Sequence, residues 1–302
     1  MSVIARFLYY LRSVLVVLAL ASGGLYGVIV SIICTLIGKQ HLAQWITARC
    51  FYHVMKLVLG LEVTVIGEEN LAKKPYIMVA NHQSTLDIFM LGRIFPPGCT
   101  VTAKKSLKYV PFLGWFMALS GTYFLDRTKR QEAIDTLNKG LENVKKNKRA
   151  LWVFPEGTRS YTSELTMAPF KKGAFHLAQQ GKIPIVPVVV SNTSTLMSPK
   201  YGVLNRGRMI VKILKPISTE NLTKDKIGEF AEQVRDQMVT TLKEIGYSPA
   251  INDTTLPPQA IEYAALQHDR KVNKSKNEHA TSVGISNDVS TNHEESSIKK
   301  MN

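Results

Sequence analysis

The residues with the types and spacing to do chemistry begin at Asn81-His82-Gln83-Ser84-Thr85-Leu86-Asp87. They follow one apolar run, residues 76–80, and lead into another, residues 88–91. A histidine and a carboxylate at the mouth of a strand can make a general base. The carboxylate holds one ring nitrogen and leaves the other free to take a proton. Five steps of about 100° do not put His82 and Asp87 on one face of a continuous helix. His82 must therefore sit on the loop and fold back onto Asp87. Ser84 and Asp87 also have capping-box spacing, which starts a helix without any chemistry. The two readings are compatible, because a helix capped at Ser84 carries Asp87 in its first turn.

Three more stretches carry candidate groups. Phe154-Pro155-Glu156-Gly157-Thr158-Arg159-Ser160 follows a buried apolar run. Gly157 can take unusual backbone angles and expose its N–H. Arg159 offers a planar fork suited to phosphate, and Thr158 and Ser160 add hydroxyls. This reads as a phosphate pocket, and equally as an ordinary surface turn. Gly121-Thr122-Tyr123-Phe124-Leu125-Asp126-Arg127 ends on an arginine that either closes the same pocket or pairs with Asp126. Lys104 and Lys105 end another strand and meet phosphate, lipid headgroups or solvent. Lys171-Lys172-Gly173 opens a helix, with solvation the simpler role. The fourth stretch, residues 183–190, holds Pro184 and Pro187 in an apolar run and reads as a core strand. No Walker A sequence is present, which argues against a nucleotide triphosphatase. No G-x-S-x-G is present, which argues against an ordinary α/β-hydrolase.

The elements that must position these groups alternate along the chain. Strands are expected at residues 62–67, 76–80, 100–103, 122–125, 150–154, 185–190 and 208–214. Helices are expected at 84–95, 128–148, 171–180 and 224–245. Such alternation gives an α/β domain with a mixed, mostly parallel sheet flanked by helices, and its motifs lie on loops at one sheet edge. Ahead of it stands an N-terminal membrane-helix module. Residues 13–38 carry no charge and would span about 39 Å as a helix, more than a bilayer core. Gly23-Gly24 leaves two forms open, one tilted helix or two shorter pieces. Residues 42–60 read as a second helix, with Arg49, His53 and Lys56 as a basic stripe suited to a membrane interface. The expected organisation is thus residues 1–60, membrane segment and interfacial helix; 61–247, catalytic domain; and 248–302, a polar, disordered tail.

The net charge is +15, and residues 99–216 hold twenty Lys or Arg against six Asp or Glu. An excess in the middle of the chain fits a phosphorylated substrate or an anionic membrane surface. Nucleic acid is disfavoured, since no recognition motif accompanies the charge. Cys34, Cys50 and Cys99 are too widely spaced for a disulfide framework or a metal pattern.

Taken in order, the four stretches resemble the glycerolipid acyltransferases of the PlsC type. The blocks of that family are N-H-x-x-x-x-D, G-x-x-F-x-x-R, F-P-E-G-T-R-S and an apolar block with prolines, and each is intact here. The resemblance covers about residues 40–245. The N-terminal segment and the tail extend it to fungal 1-acyl-sn-glycerol-3-phosphate acyltransferases of the budding-yeast kind. It implies acyl transfer from acyl-CoA to the sn-2 hydroxyl of lysophosphatidate, giving phosphatidate. In that chemistry His82 is the base, Asp87 orients it, and a backbone N–H near Gly157 holds the oxyanion. Arg159, with Glu156, Gly157 and Thr158, holds the glycerol phosphate, aided by Arg127 and by Lys104 or Lys105. Acyl-CoA enters as co-substrate, with no cofactor and no metal. The partners are lysophosphatidate, acyl-CoA and membrane lipid, at the endoplasmic reticulum and lipid droplets. The ending Lys299-Lys300-Met301-Asn302 resembles a dilysine retrieval signal of that membrane. The alternatives are acylation of glycerol 3-phosphate or other lysophospholipids, a CoA-independent transacylase and, outside enzymes, a protein that binds anionic lipid.

Overall fold

The chain begins with one continuous helix, α1 (Val3–Leu36), in a computed structural model that describes residues 3–71, 74–126, 128–251 and 256–267. Gly23 and Gly24 do not divide it. Glycine weakens a helix interior, so the pair needs another reason, and close packing supplies it. A Cβ on Gly27 would lie 2.6 Å from the Phe116 ring, and one on Gly24 would lie 3.0 Å from the Leu113 backbone nitrogen. The glycines let α1 approach two later helices. The span Arg6–Leu36 is long and apolar enough to cross a membrane.

Next comes α2 (Ala43–Leu59), stopped by Gly60, which takes φ +63° and donates its N–H to the Lys56 carbonyl. Phe51, Tyr52, Met55 and Leu59 are buried in the main core, so one face of α2 packs on protein. Two members of its basic stripe are tied to protein: Arg49 donates to the Arg93 carbonyl at 2.6 Å, and Lys56 pairs with Glu62 at 3.0 Å. The outward residues Val54, Leu57 and Val58 are exposed and apolar.

The strands and helices that follow are β1 (Leu61–Ile66), β2 (Tyr76–Ala80), α3 (Asp87–Ile94), β3 (Cys99–Lys104), α4 (Leu113–Leu119), β4 (Tyr123–Leu125), α5 (Arg130–Lys146), β5 (Ala150–Val153), α6 (Gly173–Gly181), β6 (Ile185–Val190), β7 (Met197–Ser198), β8 (Val203–Leu204), β9 (Arg206–Ile213), α7 (Ile227–Ile245) and β10 (Ala250–Ile251). The main sheet runs β1-β9-β6-β2-β5-β3-β4, with β10 against β9. Among the described strands of this sheet, only the β6–β9 and β10–β9 pairs are antiparallel. The mixed, mostly parallel sheet expected from the alternation is present.

Strand alternation divides the core in two. Tyr76, Met78, Ala80 and Trp152 face the side covered by α1, α2 and α3, while Ile77, Val79 and Leu151 face the side covered by α5, α6 and α7. Both faces of β2 and β6 are therefore apolar, as a central strand of a covered sheet requires. Residues 1–257 make one unit that includes α1 and α2. Residues 258–267, in a second unit, are helical, and most of the expected tail lies outside the described residues.

Candidate active site

β2 is buried along all five residues, so the chain leaves the carboxyl edge of the sheet at a fixed point. Asn81 continues the ladder with its side chain: Nδ2 donates to the Val190 carbonyl at 2.9 Å, and Oδ1 accepts the Val190 N–H at 2.8 Å. Two residues on, Gln83 Nε2 donates to the Val190 and Ser191 carbonyls, and Oε1 accepts the Thr193 N–H. These two amides clamp the loop on either side of His82 and leave its ring to project from the sheet edge. Neither role was visible in the sequence, where Asn81 and Gln83 only flank the histidine.

His82 folds back as its spacing demands. Its Nδ1 lies 2.6 Å from Asp87 Oδ2. The same oxygen accepts the N–H groups of Gln83 at 2.8 Å and Ser84 at 3.2 Å. A carboxylate only accepts, so Nδ1 carries the hydrogen and the Nε2 lone pair remains for a proton. The capping contacts are present as well. Ser84 Oγ accepts the Leu86 N–H while Asp87 reaches back to the Ser84 N–H, although the α-helix itself begins only at Asp87. One carboxylate both caps the turn and orients the base. The ring also stacks on Phe154, with centroids 4.1 Å apart, a contact worth about 0.5–1.5 kcal/mol beyond its buried area.

Glu156 departs from its expected place among the phosphate ligands. It is only 4% exposed. Its Oε1 accepts the His82 N–H at 2.6 Å and its Oε2 the Ala168 N–H at 2.9 Å. Burial pushes the carboxyl upward, and those two N–H bonds oppose the shift. Glu156 braces the back of the histidine loop. The loops are stitched together further where the Ser160 N–H meets the His82 carbonyl and the Tyr161 N–H meets that of Gln83.

Gly157 takes φ +74° as expected, but its N–H is taken by the Phe154 carbonyl at 3.1 Å. That N–H is thus already bonded within the loop, and Thr158, the next residue, lines the cavity beside His82. A Cβ on Gly157 would fall 2.8 Å from Lys171 Nζ. That atom is the tip of a flexible, exposed side chain, so Lys171 lies next to the loop while remaining open to solvent, its simpler role. Arg159 lines the same space, and its Nε is buried with no hydrogen-bond partner among the described residues. Lys104 is exposed at the rim and lines the cavity. Lys105 is not brought in: its Nζ pairs with Asp126 at 3.1 Å. Hydrogen bonds from Thr128 and then Lys105 hold the Asp126 carboxyl down at about 2. Arg127 lies outside the described residues.

From His82 and Arg159 a cavity of about 520 Å³ runs between the sheet and the helices. Its body is apolar, walled by Val101 and Ala103 of β3, Ala48 and Phe51 of α2, Leu20 of α1 and Phe116 of α4. Gln44 and Thr122 also line it, and the Gln44 amide donates to Thr122 Oγ1 at 3.1 Å. The apolar block of residues 183–190 stays out of this lining as the wholly buried β6. Among the described residues no cluster of three His, Cys, Asp or Glu could hold a metal ion. The arrangement pairs a base with an anion-binding edge and a long apolar chamber, which suits proton abstraction from an acceptor hydroxyl beside a bound acyl chain.

Comparison with known proteins points the same way. A family model described as acyltransferase matches residues 62–191. A 1-acyl-sn-glycerol-3-phosphate acyltransferase of Saccharomyces cerevisiae is 90% identical over 302 residues, all of both chains. A 1-acyl-sn-glycerol-3-phosphate acyltransferase alpha of Homo sapiens is 34% identical over 214 residues, 70% of this chain and 75% of the relative. Among solved structures, the 1-acyl-sn-glycerophosphate acyltransferase PlsC of Thermotoga maritima superposes with TM-score 0.60 at 25% identity, over 80% of this chain and 95% of that one.

Proposed function

The chain belongs to the acyltransferase family, and on that premise we propose that it acylates the sn-2 hydroxyl of lysophosphatidate with acyl-CoA, giving phosphatidate. One observation carries the reading. The ring of His82, fixed by Asp87, faces a cavity whose polar end holds Arg159 and whose body is apolar.

His82 Nε2 takes the proton of the acceptor hydroxyl as its oxygen attacks the thioester carbonyl. Asp87 stabilises the imidazolium that forms, in the manner of a hydrolase triad whose alcohol is supplied by the substrate. The oxyanion is held by a backbone donor near Gly157, for which we choose the Thr158 N–H because the Gly157 N–H is bonded to the Phe154 carbonyl. Collapse of the tetrahedral intermediate breaks the C–S bond, and the imidazolium returns its proton to the leaving thiolate. Arg159 holds the acceptor phosphate, with Lys171 next to the loop and Lys104 at the rim. The acyl chain lies in the apolar chamber, which falls within the roughly 300–1,000 Å³ usual for ligand pockets. The scheme uses no resident cofactor or metal. The place of action we propose is the endoplasmic-reticulum membrane and lipid droplets, a reading supported, as far as membrane association goes, by the apolar α1.

The test is transfer of labelled acyl groups by the purified protein to a panel of acceptors. Lysophosphatidate with acyl-CoA should be the fastest pair. Faster turnover of glycerol 3-phosphate or a larger-headgroup lysolipid would overturn the acceptor, and transfer without acyl-CoA would overturn the donor.

A further inference from the structure

The stretch around α4 is inside out for a protein in water. Residues 109–125 carry no charge. Leu113, Phe116 and Met117 turn inward and line the cavity. The outward side is apolar as well: Tyr109 is 75% exposed and Trp115 53%, with Val110, Phe112 and Leu119 beside them. A helix on a water-facing surface puts polar residues on its outer face, and contiguous apolar exposure marks a surface that something covers.

Two features identify the cover. The patch is continuous with α1, because Gly24 and Gly27 bring α1 against the start of α4 and the Phe116 ring. The α1 residues Leu25, Ile29 and Ile33 are likewise exposed. Whatever apolar medium receives α1 therefore reaches α4. Lysines also flank the patch: Lys104 and Lys108 are exposed and have no carboxylate partner among the described residues, whereas Lys105 is occupied by Asp126. An apolar face with cations at its edge fits the boundary between acyl chains and anionic headgroups. Seven helical residues, about 10 Å, are too short to cross a hydrocarbon core of about 30 Å.

We propose that residues 105–119 form a second membrane-seated element beside α1. Tyr109 and Trp115 lie at the headgroup level, and Lys104 and Lys108 meet anionic lipid. The wall of the cavity made by α4 is then the wall next to the bilayer. A lipid acceptor entering there keeps its acyl chain in apolar surroundings while its phosphate meets Arg159.

The test uses the full chain in vesicles of phosphatidylcholine and phosphatidylserine carrying brominated acyl chains. Bromine should quench the wild-type tryptophan emission, and the Trp115→Phe protein should lose that quenched component. A protein carrying Tyr109→Asp and Trp115→Asp should lose on the order of tenfold in acylation of vesicle-borne lysolipid while keeping its rate in detergent micelles. Equal quenching of wild type and Trp115→Phe overturns the proposal. So does a change in the mass of the double variant in detergent with no loss on vesicles, which would give the surface to a second copy of the chain. The quenching arm involves no turnover, so its outcome is separate from that of the acyl-transfer reading.

Discussion

The two walls of the cavity are built by different means. On the sheet side, Asn81, Gln83, Asp87 and Glu156 hold the loop of residues 81–87 by directed hydrogen bonds to backbone groups. On the helix side, α1, α2 and α4 meet mainly through glycines and apolar side chains, with the Gln44 amide as a polar tie to Thr100, Ser120 and Thr122. A hydrogen-bonded loop leaves the imidazole one orientation, and losing one bond strands a buried partner. An apolar wall tolerates volume-conserving change and yields by small shifts. Chemistry is thus expected to fail abruptly on the first wall, and selectivity to drift on the second.

His82→Ala tests the contrast where it is strongest. It should lower kcat by about 10³–10⁴-fold, the upper range for a general base, with membrane association unchanged. Purified protein in a single-turnover assay decides it, and activity within about tenfold of wild type would remove His82 as the base.

Glu156→Gln comes next and separates bracing from binding. Gln keeps the volume, but its amide NH2 faces a backbone donor that the carboxylate accepted. A misplaced loop should lower kcat by about 10²-fold and leave the acceptor KM near wild type. A changed KM with normal kcat would restore Glu156 to the phosphate site. Stability carries a second signature. Burial raises the folded carboxyl above its unfolded value, so the burial penalty is absent at low pH, where both states are protonated. It develops as pH climbs from the usual glutamate value of about 4.3 through the raised one. Wild-type stability should therefore fall relative to Glu156→Gln over that window, as read by denaturant unfolding at stepped pH.

Arg159→Lys keeps the charge and removes the fork. The acceptor KM should rise about tenfold with kcat little changed, and an unchanged KM would take Arg159 out of phosphate binding. This effect is smaller because Lys171, next to Gly157, still supplies a cation.

What the sequence disclosed follows the same division. Strand runs such as residues 76–80 and 185–190 were legible because a covered parallel sheet writes itself as unbroken apolar stretches. The His82–Asp87 fold-back was legible because their spacing excludes a shared helical face. The bracing contacts of Glu156 were not legible, because a carboxylate beside Arg159 looks the same whether it faces a ligand or a backbone N–H. Gly23-Gly24 left one helix or two pieces open because the partners of the pair, Phe51 and Leu113, lie far along the chain. The seat of β9 between β1 and β6, parallel to the first and antiparallel to the second, likewise rests on non-local pairings with no mark in the strands themselves.

The smallest expected effect tests the helix wall by itself. Ala48 lines the cavity from α2, and Leu is nearly as good a helix former. Ala48→Leu adds three carbons to the apolar chamber and touches no hydrogen bond of residues 81–87. If the chamber holds the acyl chain, kcat/KM for long-chain acyl-CoA should drop about three- to tenfold relative to shorter donors. That is at or below the lower end of what a fitted pocket achieves against one methylene, because this wall can yield. A matched series of donors reads the ratio directly. An equal loss at every chain length would mean that pressure on α2 reaches His82, and the two walls would then be one mechanical unit.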